Sequence, residues 1–177
     1  MEHISALLPE LNRLTEKPPK PLPASTQGSD DLPVQFKATL AKFPEQKDFI
    51  VNMNHVALEK RYDRIMTVAD AYQTNYIKLE ELEYIYAPET PVLLLESWIL
   101  QLSLFAKVPI NKDQIHELAL LLYDDCRFLN MAELTLFFKR VKKGHYGEFY
   151  ADFNTMALMR WAREYRKERG MYISKLP

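Results

Sequence analysis

Apolar residues recur at spacings of three and four along most of this chain, the periodicity of helices that bury one face. The signal is strongest in the second half. Thr90 followed by Pro91 marks a helix start, and Val92, Leu95, Trp98, Ile99, Leu102, Phe105 and Ala106 supply its apolar stripe. Asn111 with Gln114 three residues later makes a capping box ahead of Ile115, Leu118, Leu121 and Leu122. Asn130 with Glu133 repeats the device before Leu134, Phe137, Phe138 and Val141, and Gly144 stands where a left-handed C-terminal cap belongs. Asn154 or Thr155 opens a last helix through Met156, Leu158, Met159, Trp161, Ala162 and Tyr165, closing near Gly170. Four capped helices joined by short loops predict antiparallel neighbours in a bundle-like core.

The first half carries weaker signals. Phe36, Leu40 and Phe43 have helical spacing until Pro44, and Val56 to Tyr72 offers Leu58, Tyr62, Ile65, Val68, Ala69 and Tyr72, which predicts two helices between Val34 and Tyr72. Lys78 to Tyr86 predicts a shorter acidic helix, with Leu79, Leu82 and Ile85 on one face and Pro88 ending it. Before Val34, Ile4, Leu7, Leu8, Leu11 and Leu14 form a short amphipathic segment, and Lys17 to Pro33 is rich in proline and reads as an extended linker. The organisation expected is therefore a leader and Pro-rich linker over residues 1–33 and a helical domain over residues 34–177. The fold class expected is all-α, an irregular bundle of about six helices.

Composition narrows this picture without changing it. The 4 glycines argue against a turn-dense sandwich or barrel. Cys126 is the only cysteine, so neither an intramolecular disulfide nor a cysteine-based zinc site can form, and a reducing, cytoplasmic setting is expected. Residues 1–17 lack the basic start and apolar run of a secretory signal. The densest apolar stretch, Pro91 to Ala106, is broken by Glu96, Ser97, Gln101 and Ser103, so no membrane span is expected. The formal net charge of −1 divides unevenly: net −7 over residues 1–126 and net +6 over residues 127–177. Such asymmetry suits contact with nucleic acid or an acidic protein, and equally suits two halves that pack charge to charge.

Most of the usual chemical motifs are missing. His3, His55, His116 and His145 are scattered and none belongs to a His-Glu-x-x-His pattern. The glycines offer neither Rossmann nor P-loop spacing. Beside Asp124 and Asp125, the Cys126 thiol is expected to have a raised pKa, which opposes a nucleophilic role and favours an inert, buried cysteine. No cofactor is implied. One segment does concentrate character: Lys139, Arg140, Lys142 and Lys143 crowd the last turns of a helix, followed by Tyr146, Phe149, Tyr150 and Phe153. Cations neutralise phosphates and exposed rings stack on bases, a pairing apt for single-stranded nucleic acid. The alternative is structural, since basic side chains complement a helix C-terminus and the rings can fold onto the core. In the last helix, Arg163 and Arg166, with Arg169, recur every three residues and extend the basic character, diluted by Glu164 and Glu168.

The order of features in the C-terminal half carries a resemblance. A Trp98-centred helix is followed by Tyr123-Asp124-Asp125 at a helix end, then Ala132, Glu133, Leu134, Phe137, Phe138, Lys139, Lys142, Gly144, Tyr146, Gly147, Phe149, Tyr150, Ala151 and Asp152. In this the chain resembles an uncharacterised family of small helical proteins from phages and mobile elements of gut bacteria. The resemblance implies a shared fold and a mobile-element setting. It brings no catalytic residue with it.

The functional expectation is a noncatalytic binding or adaptor protein, serving replication or maintenance of DNA through a protein partner or single-stranded DNA or RNA, and not an enzyme. Its candidate nucleic-acid contacts are Lys139, Arg140, Lys142, Lys143, Tyr146, Arg163 and Arg166. Two alternatives stand beside it. One is a self-associating structural protein, and the other an enzyme holding a divalent metal through Glu80, Glu81, Glu83, Asp124 and Asp125.

Overall fold

Short polar caps and prolines cut the periodic pattern into nine helices among the described residues of this computed structural model, which are 33–147 and 155–177. They are α1 (Val34–Lys42), α2 (Gln46–Asn52), α3 (His55–Arg61), α4 (Val68–Gln73), α5 (Leu82–Ile85), α6 (Thr90–Ala106), α7 (Lys112–Cys126), α8 (Met131–Lys142) and α9 (Thr155–Ile173). The fold is all-α, and no strand occurs among the described residues. The expected leader and most of the expected linker, residues 1–32, lie outside the described residues, as do Phe149, Tyr150, Ala151, Asp152, Phe153 and Asn154.

Residues 34–73 hold four helices where the apolar spacing predicts two. The extra breaks come from caps rather than from loss of periodicity. Asn54 accepts from the Ala57 amide at 2.9 Å and starts α3. Thr67 and Asp70 form a reciprocal capping box that starts α4.

The acidic segment also differs from its expected form, because only Leu82–Ile85 is helical. Just before it, the backbone pairs with residues 127–131. Leu79 N–H donates to the Leu129 carbonyl and Glu80 N–H to that of Arg127, each at 2.9 Å, while Met131 N–H donates to Ile77 at 3.1 Å. Leu79 is thereby buried from an extended segment, not from a helix face.

The second half follows the sequence pattern closely. Both predicted capping boxes form, Asn111 with Gln114 and Asn130 with Glu133. At the end of α8, Gly144 adopts φ 69° and two bonds close the turn, Gly144 N–H to Val141 and His145 N–H to Arg140, each at 3.0 Å. This is a Schellman ending, and it uses the left-handed conformation that glycine adopts without a Cβ penalty. The last helix runs past Gly170 to Ile173, because a glycine inside a docked helix lowers its propensity without ending it.

Helix α6 packs on α7, α7 on α9, α3 and α4 on α8, and α4 on α9. The centre is aromatic. Trp98 lies edge-on to Phe138 at 5.1 Å, and its indole N–H donates to the Met53 carbonyl at 2.8 Å, tying α6 to the end of α2. Phe137 meets Phe138 at 5.3 Å and Tyr165 of α9 at 5.8 Å. Seen from α8, Met131 through Phe138 is buried without interruption, so this helix is the axis around which the others assemble.

Candidate binding surface

The C-terminal turns of α3 and α8 both end in basic residues, Lys60 and Arg61 in one and Lys139, Arg140 and Lys142 in the other. Packing of α3 on α8 brings these two turns together. The Lys139 ammonium donates to the carbonyls of Asp63 at 3.1 Å and Ile65 at 3.4 Å, so it caps the backbone that leaves α3. Lys142 pairs with Glu59 of α3 at 2.7 Å and sits over the Phe105 ring at 5.4 Å. Arg140 pairs with Glu168 of α9 at 2.6 Å.

Three of the four cations picked out in this segment therefore have partners within the fold. Lys143 is exposed at the helix end, close in sequence to all of them. Around the same junction, Lys60, Arg61 and Arg64 are also exposed. Counted over both helix ends and the facing carboxylates of α9, seven cations, Lys60, Arg61, Arg64, Lys139, Arg140, Lys142 and Lys143, stand against Glu59, Asp63, Glu164 and Glu168. An excess of positive charge thus remains after the internal pairs are formed.

The aromatic half of the pattern is arranged differently. Tyr146 is half-buried, with its ring 6.1 Å from Phe137 and 4.9 Å from His145. Burial pushes its phenol up to about 12, opposed by the neighbouring Arg140 guanidinium. A ring held this way extends the core cluster of Phe137 and Tyr165.

The arginines of α9 part company. Arg163 is exposed. Arg166 pairs with Asp125 of α7 and lies 6.0 Å from the Phe128 ring. Arg169, which the spacing of three placed on the same face, pairs with Glu133 of α8 at 2.6 Å. Spacing by three turns each residue about 60° from the one before and Arg169 about 120° from Arg163, enough for successive side chains to reach different neighbours.

Three of the five acidic residues considered as metal ligands, Glu81, Glu83 and Asp125, are separately engaged, and Asp124 is exposed. Tyr123 donates its hydroxyl to Glu83, Glu81 accepts from the Lys78 amide at 2.8 Å, and Asp125 holds Arg166. Among the described residues no group of three His, Cys, Asp or Glu side chains is placed to hold a metal ion. Cys126 is buried, and burial followed by the Asp125 charge pushes its thiol up to about 12, so the thiol form dominates at neutral pH.

Sequence reasoning passed over the contribution of α3. The signal was present as Lys60, Arg61 and Arg64, but their adjacency to Lys139 spans more than seventy residues of chain and depends on the packing of α3 against α8. No helix of the described residues is long and apolar enough to cross a membrane.

No curated protein matches this chain, and no solved structure does. Residues 107–175, from the α6–α7 connection through α9, are similar to DUF6633, a family of unknown function, in agreement with the resemblance of the C-terminal half to an uncharacterised family.

Proposed function

We propose that this chain is a noncatalytic binding protein whose basic junction between α3 and α8 contacts single-stranded nucleic acid, in the cytoplasmic setting of a phage or mobile element. One observation carries the reading: two helix ends, distant in sequence, converge to expose Lys60, Arg64 and Lys143 beside cations that are already fixed by internal pairs. Fixed and free cations have distinct uses here. Lys139, Arg140 and Lys142 hold the junction rigid and contribute to its potential, while the exposed residues are available to phosphates.

Stacking plays a smaller part in this reading than charge, because Tyr146 packs on Phe137. Binding would therefore be tolerant of base sequence and steep in salt.

The test is fluorescence anisotropy with labelled single- and double-stranded DNA and RNA over a salt series. The variant is the triple change Lys60→Gln, Arg64→Gln and Lys143→Gln, which leaves every internal pair in place. Affinity should fall at least tenfold at low salt, and the slope of log K against log salt should flatten by about 2 for a single strand. Absence of binding by the unaltered protein at low salt would remove the reading and direct the search to a protein partner.

A further inference from the structure

At the other end of α8 from the basic junction, α4, the segment after it, the α7–α8 turn and the end of α9 line an open pocket of about 310 Å³. Its walls include Tyr72, Asn75, Lys78, Phe128, Glu133 and Arg169. The guanidinium of Arg169 lies over two rings, 5.0 Å from the Tyr72 ring centroid and 4.6 Å from that of Phe128. Its Nε donates to Glu133 Oε1 at 2.6 Å. The second oxygen of Glu133 accepts from the Asn130 amide at 3.0 Å, so both carboxylate oxygens are committed to the fold.

These constraints decide what the cavity offers. A planar guanidinium that lies over two rings and has its Nε engaged presents its further donors in its own plane, at Nη1 and Nη2. Lys78 is exposed at the same cavity, and among the described residues no carboxylate lies within ion-pair distance of its ammonium. Asn75, also exposed, adds a side-chain amide. The lining is thus rich in donors and cations, its single carboxylate is already neutralised, and two of its walls are aromatic.

We propose that this cavity binds a small organic anion, a carboxylate or phosphate carried on a flat body, with the head group on Arg169 and Lys78 and the body against Tyr72 and Phe128. The volume is at the small end of ligand cavities, which suits a single-ring compound and excludes a dinucleotide. Clamping of Arg169 before any ligand arrives removes much of the ordering cost that a free arginine would bring to the contact. This site is separate from the basic junction and stands whether or not nucleic acid binds there.

Phenyl phosphate, benzoate and uncharged benzyl alcohol, titrated calorimetrically into the full chain, test the assignment. At least one of the two anions should bind saturably and benzyl alcohol should not; the stronger of the two identifies the head group. Arg169→Gln should weaken that binding at least tenfold. Because Arg169→Gln also leaves Glu133 without its cation, Lys78→Gln serves as the second variant. It should weaken binding roughly threefold while leaving the unfolding midpoint of the ligand-free protein unchanged. No saturable binding of either anion up to about 10 mM, equal binding of benzyl alcohol, or affinity unchanged in Lys78→Gln would each overturn the proposal.

Discussion

Arg169 and Glu133 meet 2.6 Å apart where α9 crosses the start of α8, and the Glu133 side chain is only 2% exposed. Glu133 also closes the capping box with Asn130, whose own amide nitrogen donates to the Ala71 and Thr74 carbonyls at 3.0 and 3.1 Å. One carboxylate therefore joins the start of α8 to α9, and through Asn130 both are joined to the end of α4. A buried pair of this kind is costly to break from one side, because the surviving charge stays desolvated.

Arg169→Met is accordingly expected to destabilise the fold by about 3–5 kcal/mol, and Glu133→Gln, which keeps an acceptor for one of the two donors and sets an NH2 group against the other, by roughly 2–3 kcal/mol. Urea unfolding would measure both through the midpoint at constant slope. The double variant should cost less than the sum of the two, since a neutral partner no longer strands a charge. Additive effects would show that Glu133 and Arg169 are independent and that the pair is incidental.

Two glycines in helical surroundings are expected to respond in opposite directions. At Gly144, φ is 69° and an added Cβ would lie 3.1 Å from the Gly147 carbonyl oxygen, so Gly144→Ala should cost about 1–2 kcal/mol. At Gly170, inside α9, an added Cβ meets nothing within 4 Å, and Gly170→Ala should add roughly 0.5–1 kcal/mol. Thermal unfolding of the two single variants against the parent protein checks both signs, and loss of stability in Gly170→Ala would mean that the end of α9 is not helical in solution.

Those glycines also show what the sequence disclosed and what it withheld. Gly144 followed an unbroken apolar stripe and a basic last turn, so local rules sufficed to place the end of α8. The same holds for the Asn111 and Asn130 boxes. Asn54 and the Thr67–Asp70 box are equally local, but they fall inside a stretch whose apolar spacing runs on across them, so periodicity alone does not show the breaks. Leu79 was beyond reach for another reason, since its burial depends on backbone pairing with residues fifty positions away. The basic segment lay between these cases. Its composition was plain from sequence, but the partners that fix Lys139, Arg140 and Lys142 come from α3, the segment after it and α9. Charge shows in one dimension, whereas its neutralisation is a tertiary property.

His55 supplies a pH dependence whose sign follows from its surroundings. The ring is 2% exposed, stacks on Phe138 at 6.1 Å and lies edge-on to Trp98 at 5.9 Å, and neither ring nitrogen has a hydrogen-bond partner among the described residues. Glu59 approaches its Nδ1 only to 3.9 Å and is itself paired with Lys142. Burial first, and then the Lys142 charge, hold the imidazole down at about 3 against an ordinary 6.5. The unfolded chain consequently takes up this proton before the folded one does. Stability from the neutral ring is fully present above about pH 6.5 and is lost as pH falls towards 3, at roughly 1.4 kcal/mol per unit, or about 2 kcal/mol by pH 5. His55→Phe removes the titrating group while keeping an aromatic ring in the Trp98–Phe138 cluster. Carboxylates elsewhere titrate in both proteins, so the informative quantity is the difference between parent and variant in urea unfolding at pH 7, 6 and 5. That difference should shift in favour of His55→Phe by about 2 kcal/mol over this range. A difference that stays flat with pH would mean that His55 is protonated within the folded protein, and hence that water or Glu59 reaches the ring in solution.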